Sequence, residues 1–302
     1  MTRARQWSEA ALAVTAIGLA RVVPRRVLHG FGRLVGAALG RVDARHTGIA
    51  RDNLHRALGG GLEDAARERI LRACWRHFGG ITLDALAFRD VAREAAAGRL
   101  VLRGEEHVSK AYAAGKGVLF VSAHFGDWEA GALLLGHLGY ELSVVARPLD
   151  NPLLDRMLDR LRRRTGNGVF PKRRAVREIL KAMGRGGGVA ILIDQDARGD
   201  GLFVPFFGRP ASTTPTAALV ALRTGAALIP MAARVEPDGT IAVCAEAAIA
   251  LEPTDDRDGD VRRLTAACTA IVEGWVRRDP EQWLWMHRRW KTTPPDADAG
   301  AA

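Results

Sequence analysis

A histidine that closes an apolar run, with a glutamate five residues further on, is the first pair in this chain whose types and spacing suggest chemistry. The run is Val118–Ala123 and the pair is His124 and Glu129. On a continuous helix, residues five apart stand about 140° apart round the axis and do not face each other. The pair can meet only across a bend. Phe125 and Gly126 supply a turn, and Asp127 has the side chain to cap a helix that carries Trp128 to Leu138. Read as strand, turn and helix, the segment places His124 beyond a strand's carboxyl end, where open α/β sheets gather their ligands. Glu129 would then accept from one imidazole nitrogen, fix the tautomer and raise the basicity of the other. Such a general base with a carboxylate partner suits acyl transfer. Asp127, three residues from the histidine, is a competing partner. The plain alternative is a strand-to-helix corner whose polar residues have structural duties only.

The elements that must position this pair follow from the apolar pattern. Residues 1–90 read as helical, because apolar positions recur at helical spacing and β-branched runs are missing; Gly59-Gly60-Gly61 divides them. From about residue 100 short apolar runs appear: Val118–Ala123, Leu142–Ala146, Val189–Ile193, Ala227–Met231 and Ile241–Cys244. Helical stretches separate most of them, among them Pro152–Arg164 and Thr214–Thr224. Strands that are apolar throughout are expected where helices cover both faces. The expected fold class is α/β: a helical N-terminal region, then a mostly parallel or mixed sheet covered by helices.

Composition sets the partners. The chain has 302 residues, 48% hydrophobic and 26% charged, enough for a sizeable core. Its 44 Lys and Arg against 34 Asp and Glu give a net charge of +10. Such a surface favours nucleic acid, anionic lipid, phosphorylated substrates or an acidic carrier protein. Cys74, Cys244 and Cys268 lie far apart without metal-ligand spacing and read as reduced thiols. Ala10–Ala20 is apolar but shorter than the roughly 20 residues a spanning helix needs. Arg25 and Arg26 follow, then a stripe at Val27, Leu28, Phe31, Leu34, Val35 and Leu39. Basic residues beside short apolar helices suit an interfacial anchor on an anionic bilayer, and suit two core helices equally.

The H-F-G-x-W-E block after an apolar strand resembles the H-x4-D/E signature of the lysophospholipid acyltransferase superfamily. Its glutamate form is similar to the bacterial lipid A biosynthesis (late, Kdo-dependent) acyltransferase family. Four further blocks resemble that family in order: RHTGIARDNLHRAL (Arg45–Leu58), ARPLDNPLLDRMLDRLRRRTG (Ala146–Gly166), ILIDQDARGDGLFVPFFGRPASTTP (Ile191–Pro215) and QWLWMHRRWKTTP (Gln282–Pro294). The resemblance covers roughly residues 30–292. The chain departs from it in its short, weakly apolar N-terminal segment and in Gln195, where some members have His.

The resemblance implies a glycerolipid acyltransferase-like fold and transfer of an acyl chain from a thioester to a hydroxyl of a lipid A precursor. The donor would be acyl carrier protein, or acyl-coenzyme A. It implies a membrane-associating helical anchor over 1–40 and an acyltransferase domain over 41–292. That domain has a helical part (41–100) and an α/β core (101–292); residues 293–302 form a disordered tail. His124 would take the proton of the acceptor hydroxyl, with Glu129 orienting it. Arg147 and Arg162 are candidates for binding the oxyanion or a phosphate, although Arg162 sits in a basic run that would equally serve as a solvated helix face. Asp194 and Asp196, after the apolar run Val189–Ile193, are candidates for sugar hydroxyls, and Asp127 is kept with them. D-x-D spacing also suggests a metal, but no third ligand stands at useful spacing, and acyl transfer needs neither metal nor cofactor. Phe203, Phe206, Phe207 and Trp285 are candidates for acyl-chain or membrane contact, because aromatic rings interleaved with cations collect at bilayer interfaces. A buried C-terminal element would use Trp283, Trp285 and Trp290 as well.

The expected partners are a glycolipid acceptor and the anionic inner membrane, with the protein on its cytoplasmic face. Two readings compete within the fold, a phosphatidylinositol mannoside acyltransferase and a lysophospholipid acyltransferase. From another class, a basic nucleic-acid-binding protein predicts a basic stripe with stackable aromatics. Only the C-terminal block looks so and no nucleic-acid motif appears, so no nucleic-acid partner is expected.

Overall fold

The computed structural model describes Trp7 and residues 23–86, 90–171, 175–250 and 252–295. The apolar segment Ala10–Ala20 lies outside the described residues, and so does most of the expected tail, from residue 296 onward.

The helical region comprises α1 (Arg25–Val42), α2 (Ala44–Leu58), α3 (Asp64–Leu86) and the short α4 (Val91–Ala96). Helices α1 and α3 cross on glycines. A Cβ on Gly36 would come 2.0 Å from the Trp75 carbonyl oxygen, and one on Gly79 would come 2.2 Å from that of Gly32. Polar contacts pin α1 at its N-terminal end. Arg25 reaches Asp84, Glu94 and the Gly239 carbonyl oxygen, and His29 Nδ1 lies 2.9 Å from Asp84. The other side of α1 is unburied and apolar: Val27, Phe31, Leu34 and Val42 are all more than half exposed. Of the apolar stripe read in the sequence, Leu28 alone is buried. Among the described residues no helix is long and apolar enough to cross a membrane.

The rest of the chain builds a seven-stranded sheet in the order β1-β9-β8-β2-β5-β3-β4. Its strands are β1 (Leu100–Arg103), β2 (Val118–Ser122), β3 (Leu142–Ala146), β4 (Gly168–Pro171), β5 (Gly188–Leu192), β8 (Ala227–Val235) and β9 (Ile241–Ala245). Neighbours run parallel except β8 with β9. The intervening hairpin, β6 (Leu202–Phe206) with β7 (Arg209–Thr213), stands apart as a two-stranded sheet. Helices α5 (Glu105–Ala113), α6 (Trp128–His137), α7 (Pro152–Arg163), α8 (Ala175–Met183), α9 (Thr216–Thr224) and α10 (Arg257–Arg278) accompany the strands.

Strand β2 is buried at every residue, as a central strand covered on both faces must be. Its side chains alternate between two cores. Leu119 and Val121 join Ile179, Val272 and Trp275 on one face, and Val118 and Phe120 join Val108, Leu134 and Leu135 on the other. Strand β4 contains Pro171, which cannot donate to a ladder and is tolerated at this sheet edge. The β6–β7 turn uses Phe207 and Gly208, both at positive φ (53° and 69°). That is costly for Phe207. Its ring is held in place by burial against Phe206 and Trp285 and by the Arg277 guanidinium, 4.5 Å from the ring centroid.

Candidate active site

Strands β2 and β5 are parallel neighbours, and their register pairs Ser122 with Leu192. Two residues beyond each partner stand His124 and Asp194. The carboxyl ends of adjacent strands thus deliver them to one point. His124 Nδ1 lies 2.9 Å from Asp194 Oδ1, and the His124 backbone N–H donates to Asp194 Oδ2 at 2.9 Å. Trp283 donates its indole N–H to the same Oδ2 at 2.8 Å. Asp194 is buried, with a side chain only 2% exposed. Burial alone would raise its pKa. The His124 charge and three hydrogen bonds outweigh that and hold the carboxyl below the usual carboxylate range. An ionised carboxylate only accepts, so Nδ1 carries the proton. Nε2 is then the lone-pair nitrogen of neutral His124. Its neighbour is the exposed side chain of Gln195, whose Nε2 lies 3.4 Å away.

Burial pushes the His124 pKa down. The Asp194 carboxylate, through charge and hydrogen bond, overcomes this and raises it above the ordinary value, with a smaller contribution from Glu129. The Trp128 ring meets His124 edge-on, centroids 5.2 Å apart.

Glu129 is placed differently from the expectation. It stands in the first turn of α6, and its carboxylate accepts from Arg162 in the last turn of α7, with Nε at 3.0 and 3.2 Å and Nη2 closing the fork. Both side chains are mostly buried. The hydrogen-bonding carboxylate of His124 is therefore Asp194, and Glu129 acts on the imidazole through charge. Asp194, expected to bind substrate, is instead turned to His124. The reason is reach: the turn at Phe125–Gly126 directs the helix away, whereas the β2–β5 register brings Asp194 alongside. Arg162 is no solvated face residue: its side chain is mostly buried and forked on Glu129, which raises its pKa although burial lowers it.

The remaining candidates separate. Asp127 caps α6, its Oδ1 accepting from the Ala130 N–H at 3.1 Å, and it is buried. Arg147 is exposed on the loop after β3, and no ion pair joins it to Glu129 or Asp194. Asp196 accepts at 3.0 Å from the Oγ1 of Thr292, the last residue before the expected tail. Asp194 and Asp196 thus serve different partners, and among the described residues no group of three His, Cys, Asp or Glu gathers as metal ligands. Phe206, Phe207 and Trp285 are buried in the core, so none can touch a bilayer; Phe203 is half-buried on β6. Trp283 and Trp290 are buried with them, each Trp ring packing on Phe206.

Sequence reading missed how the C-terminal block builds the site. Residues after α10 clamp the turn: Gly126 N–H donates to the Gln282 carbonyl at 2.9 Å, and Leu284 N–H to that of His124 at 3.1 Å. Gly126 has φ +58°, and a Cβ there would lie 1.9 Å from the Ala233 carbonyl oxygen. Arg289 is fully buried beneath the Asp194–Asp196 loop. It donates to the carbonyls of Ser212 (2.6 Å) and Gln195 (3.3 Å) and to Thr213 Oγ1. Burial pushes its pKa down to about 10. His287 Nε2 accepts the Asp196 backbone N–H at 3.0 Å, and burial lowers its pKa. Asn53, in the block around Asn-Leu, donates to the carbonyls of Trp285 (2.7 Å) and His287 (2.6 Å), joining the helical region to this segment.

An α/β sheet with a histidine at a strand end, held by a buried aspartate, has the geometry that a general base requires. Comparison narrows the chemistry. The family model of bacterial lipid A biosynthesis acyltransferases matches residues 2–292, and the chain belongs to that family. It is 34% identical over 194 residues to a lipid A biosynthesis lauroyltransferase of Escherichia coli (strain K12), covering 63% of this chain and 61% of the relative. Against a lipid A biosynthesis palmitoleoyltransferase of the same strain, identity is 29% over 200 residues, covering 64% and 62%. Against a phosphatidylinositol mannoside acyltransferase of Mycobacterium tuberculosis (strain ATCC 25618 / H37Rv) it is 29% over 262 residues, covering 83% and 79%. The matched stretch spans about three fifths of the two Escherichia coli relatives.

Proposed function

We propose that the protein is an O-acyltransferase that moves a fatty acyl chain from a thioester, carried by acyl carrier protein, to a hydroxyl of a lipid A precursor. The observation that carries this reading is the His124–Asp194 pair, with Nε2 left as the basic nitrogen beyond the carboxyl ends of β2 and β5. Nε2 takes the proton of the acceptor hydroxyl as its oxygen attacks the thioester carbonyl. The C–O bond forms, the carbonyl electrons move to oxygen, and a tetrahedral oxyanion results. Its collapse re-forms the carbonyl, breaks the C–S bond and expels the thiolate, which receives the proton from His124. Asp194 holds the tautomer and stabilises the imidazolium. Glu129 adds negative charge, and Arg162, with two of its nitrogens on Glu129, offers Nη1 to the oxyanion or an acceptor phosphate.

The setting is the cytoplasmic face of a bacterial inner membrane, with residues 1–40 as the anchor and 41–292 as the acyltransferase domain. The names of the relatives and the exposed apolar side of α1 support it. A second reading, acyl transfer to a phosphatidylinositol mannoside, is favoured by one observation. The relative so named matches more of this chain than the lauroyltransferase does, 83% against 63%.

The test is acyl transfer by purified protein in detergent, from labelled acyl-carrier protein to a lipid A precursor and, separately, to a mannosylated phosphatidylinositol, with His124→Ala alongside. Product on the first acceptor, lost by about two or more orders of magnitude in the variant, supports the main reading. Product on the second acceptor alone supports the other. Transfer that survives in the variant refutes the assignment of the base.

A further inference from the structure

Helices α1, α2 and α3 line a surface cavity of about 190 Å³ that takes no part in the site around His124. Its lining includes Arg41, Arg51, Arg72, Arg76, Glu68 and Trp75. Four guanidinium groups face one carboxylate. Arg51 is bound to Glu68, its Nε at 2.5 Å and its Nη2 at 3.2 Å, and Arg41 donates to the Ala37 carbonyl oxygen of its own helix. Arg72 and Arg76 are exposed at the rim, so the cavity keeps a surplus of positive charge. The Trp75 indole nitrogen is buried and has no hydrogen-bond partner among the described residues. A buried donor left unpaired is costly and calls for an acceptor. The Trp75 ring stands against Gly40, where a Cβ would lie 2.8 Å from Cδ1, the carbon bonded to that nitrogen.

The volume decides what fits. It falls below the roughly 300–1,000 Å³ of pockets that hold a drug-sized molecule. An acyl chain or a coenzyme is excluded by size, and an apolar ligand by the arginines. An anion with several acceptor oxygens suits both the forks and the indole N–H. The neighbouring surface says where that anion comes from. On α1, Ala37, Gly40 and Arg41 line the cavity, while Val27, Phe31, Leu34 and Val42, exposed by 57–76%, form the adjoining apolar side. A helix with an exposed apolar side and arginines on its flank lies in a bilayer interface, where phosphates are the nearest anions.

We propose that this cavity is a head-group site for the phosphate of an anionic glycerophospholipid, seated while the apolar side of α1 enters the bilayer. The proposal rests on the reading that the protein works at a membrane. Helix α3 carries both features: Arg72, Trp75 and Arg76 line the cavity, and Cys74 and Phe78 pack toward the site, Cys74 on the Trp283 carbonyl and Phe78 on Trp128. Lipid bound at the cavity therefore holds the helix that backs the catalytic turn.

The experiment is co-sedimentation of the full chain with phosphatidylcholine vesicles and with vesicles of phosphatidylcholine mixed with phosphatidylglycerol. The variants are R72Q/R76Q, F31S/L34S and, as a charge-matched control on other exposed arginines, R177Q/R223Q. Acyl transfer in detergent monitors folding. The expected result is about a tenfold or greater preference of wild type for the anionic vesicles, lost in R72Q/R76Q and kept in the control. F31S/L34S should weaken binding to both vesicle types, and all variants should keep transfer in detergent. Four results overturn the proposal. If wild type binds both vesicles equally, the membrane reading stands and the site falls. If it binds neither, both fall. If the control loses as much preference as R72Q/R76Q, net charge is the cause. If inorganic phosphate abolishes the preference and chloride at matched ionic strength does not, the ligand is a free anion. A fifth outcome, unchanged vesicle preference in R72Q/R76Q with a raised KM for acyl carrier protein, assigns the cavity to the donor and likewise overturns the lipid.

Discussion

His124 and Asp194 are 70 residues apart in sequence and share two hydrogen bonds at 2.9 Å, one to the ring and one to the backbone. The pairing fixes both the tautomer and the place of the histidine, so a change at Asp194 alters proton affinity and position together. For a general base the neutral form is the active one. Because the His124 pKa is raised, the acid limb of kcat/KM should lie above the ordinary histidine value of about 6.5. In Asp194→Asn the raising charge is gone and the lowering effect of burial remains. The limb should therefore move to lower pH, while the plateau falls by about 10²–10⁴. Profiles of kcat/KM against pH for the two proteins measure both. A variant limb at or above the wild-type one contradicts the pairing.

Glu129 and Arg162 should behave as one unit. Removing either leaves the other charged and mostly buried, so each single alanine variant should cost nearly as much activity as the double. A double-mutant cycle on kcat/KM should return a coupling of about 1–3 kcal/mol. Additive losses would mean that the two side chains act separately on the substrate.

Asn53→Ala should lower stability with little effect on the chemistry of any protein that remains folded. It takes one donor from the Trp285 carbonyl and one from the His287 carbonyl, which keeps the Arg289 N–H at 2.9 Å, at about 1 kcal/mol for each bond. Asn53→Asp should be worse, since it aims a carboxylate at two carbonyl oxygens. Thermal melting of the three proteins orders them, and an alanine variant as stable as wild type would show that this link is dispensable.

Gly126→Ala should abolish activity by displacing the turn between His124 and α6. The added Cβ collides with the Ala233 carbonyl and the backbone has positive φ. Gly60→Ala, where nothing lies within 4 Å, is the matched control and should be nearly neutral. Activity beside a melting curve separates loss of the turn from loss of the fold.

The strands that bear the site were legible because a central parallel strand is apolar throughout. Val118, Leu142 and Ala227 start strands where the sequence places them. The strands missed were those without that signature: β1 and β4, four residues each at the sheet edges, and the β6–β7 hairpin, whose turn employs Phe207 rather than two glycine-like residues. His124 and its corner were legible from local spacing. Its partner was not, because it depends on the β2–β5 register, which local pattern leaves open. With the register known, counting two residues past Ser122 and Leu192 finds it. Sequence left open whether the C-terminal tryptophans face a bilayer or the core, for a related reason, and all three are buried. Arg289 among them suggests a wet surface, and only the tertiary structure shows its guanidinium spent on the carbonyl oxygens of Ser212 and Gln195.

The clamp supplied by Gln282 and Leu284 also sets an order of events during synthesis. A nascent chain that has emerged as far as α10 possesses every strand of the sheet, His124 and Asp194. It lacks the residues that hold the Gly126 turn and donate to Asp194 Oδ2. A growing chain stays in that condition until Gln282, Trp283 and Leu284 have been added, so reactivity should appear only once that segment folds back onto the turn.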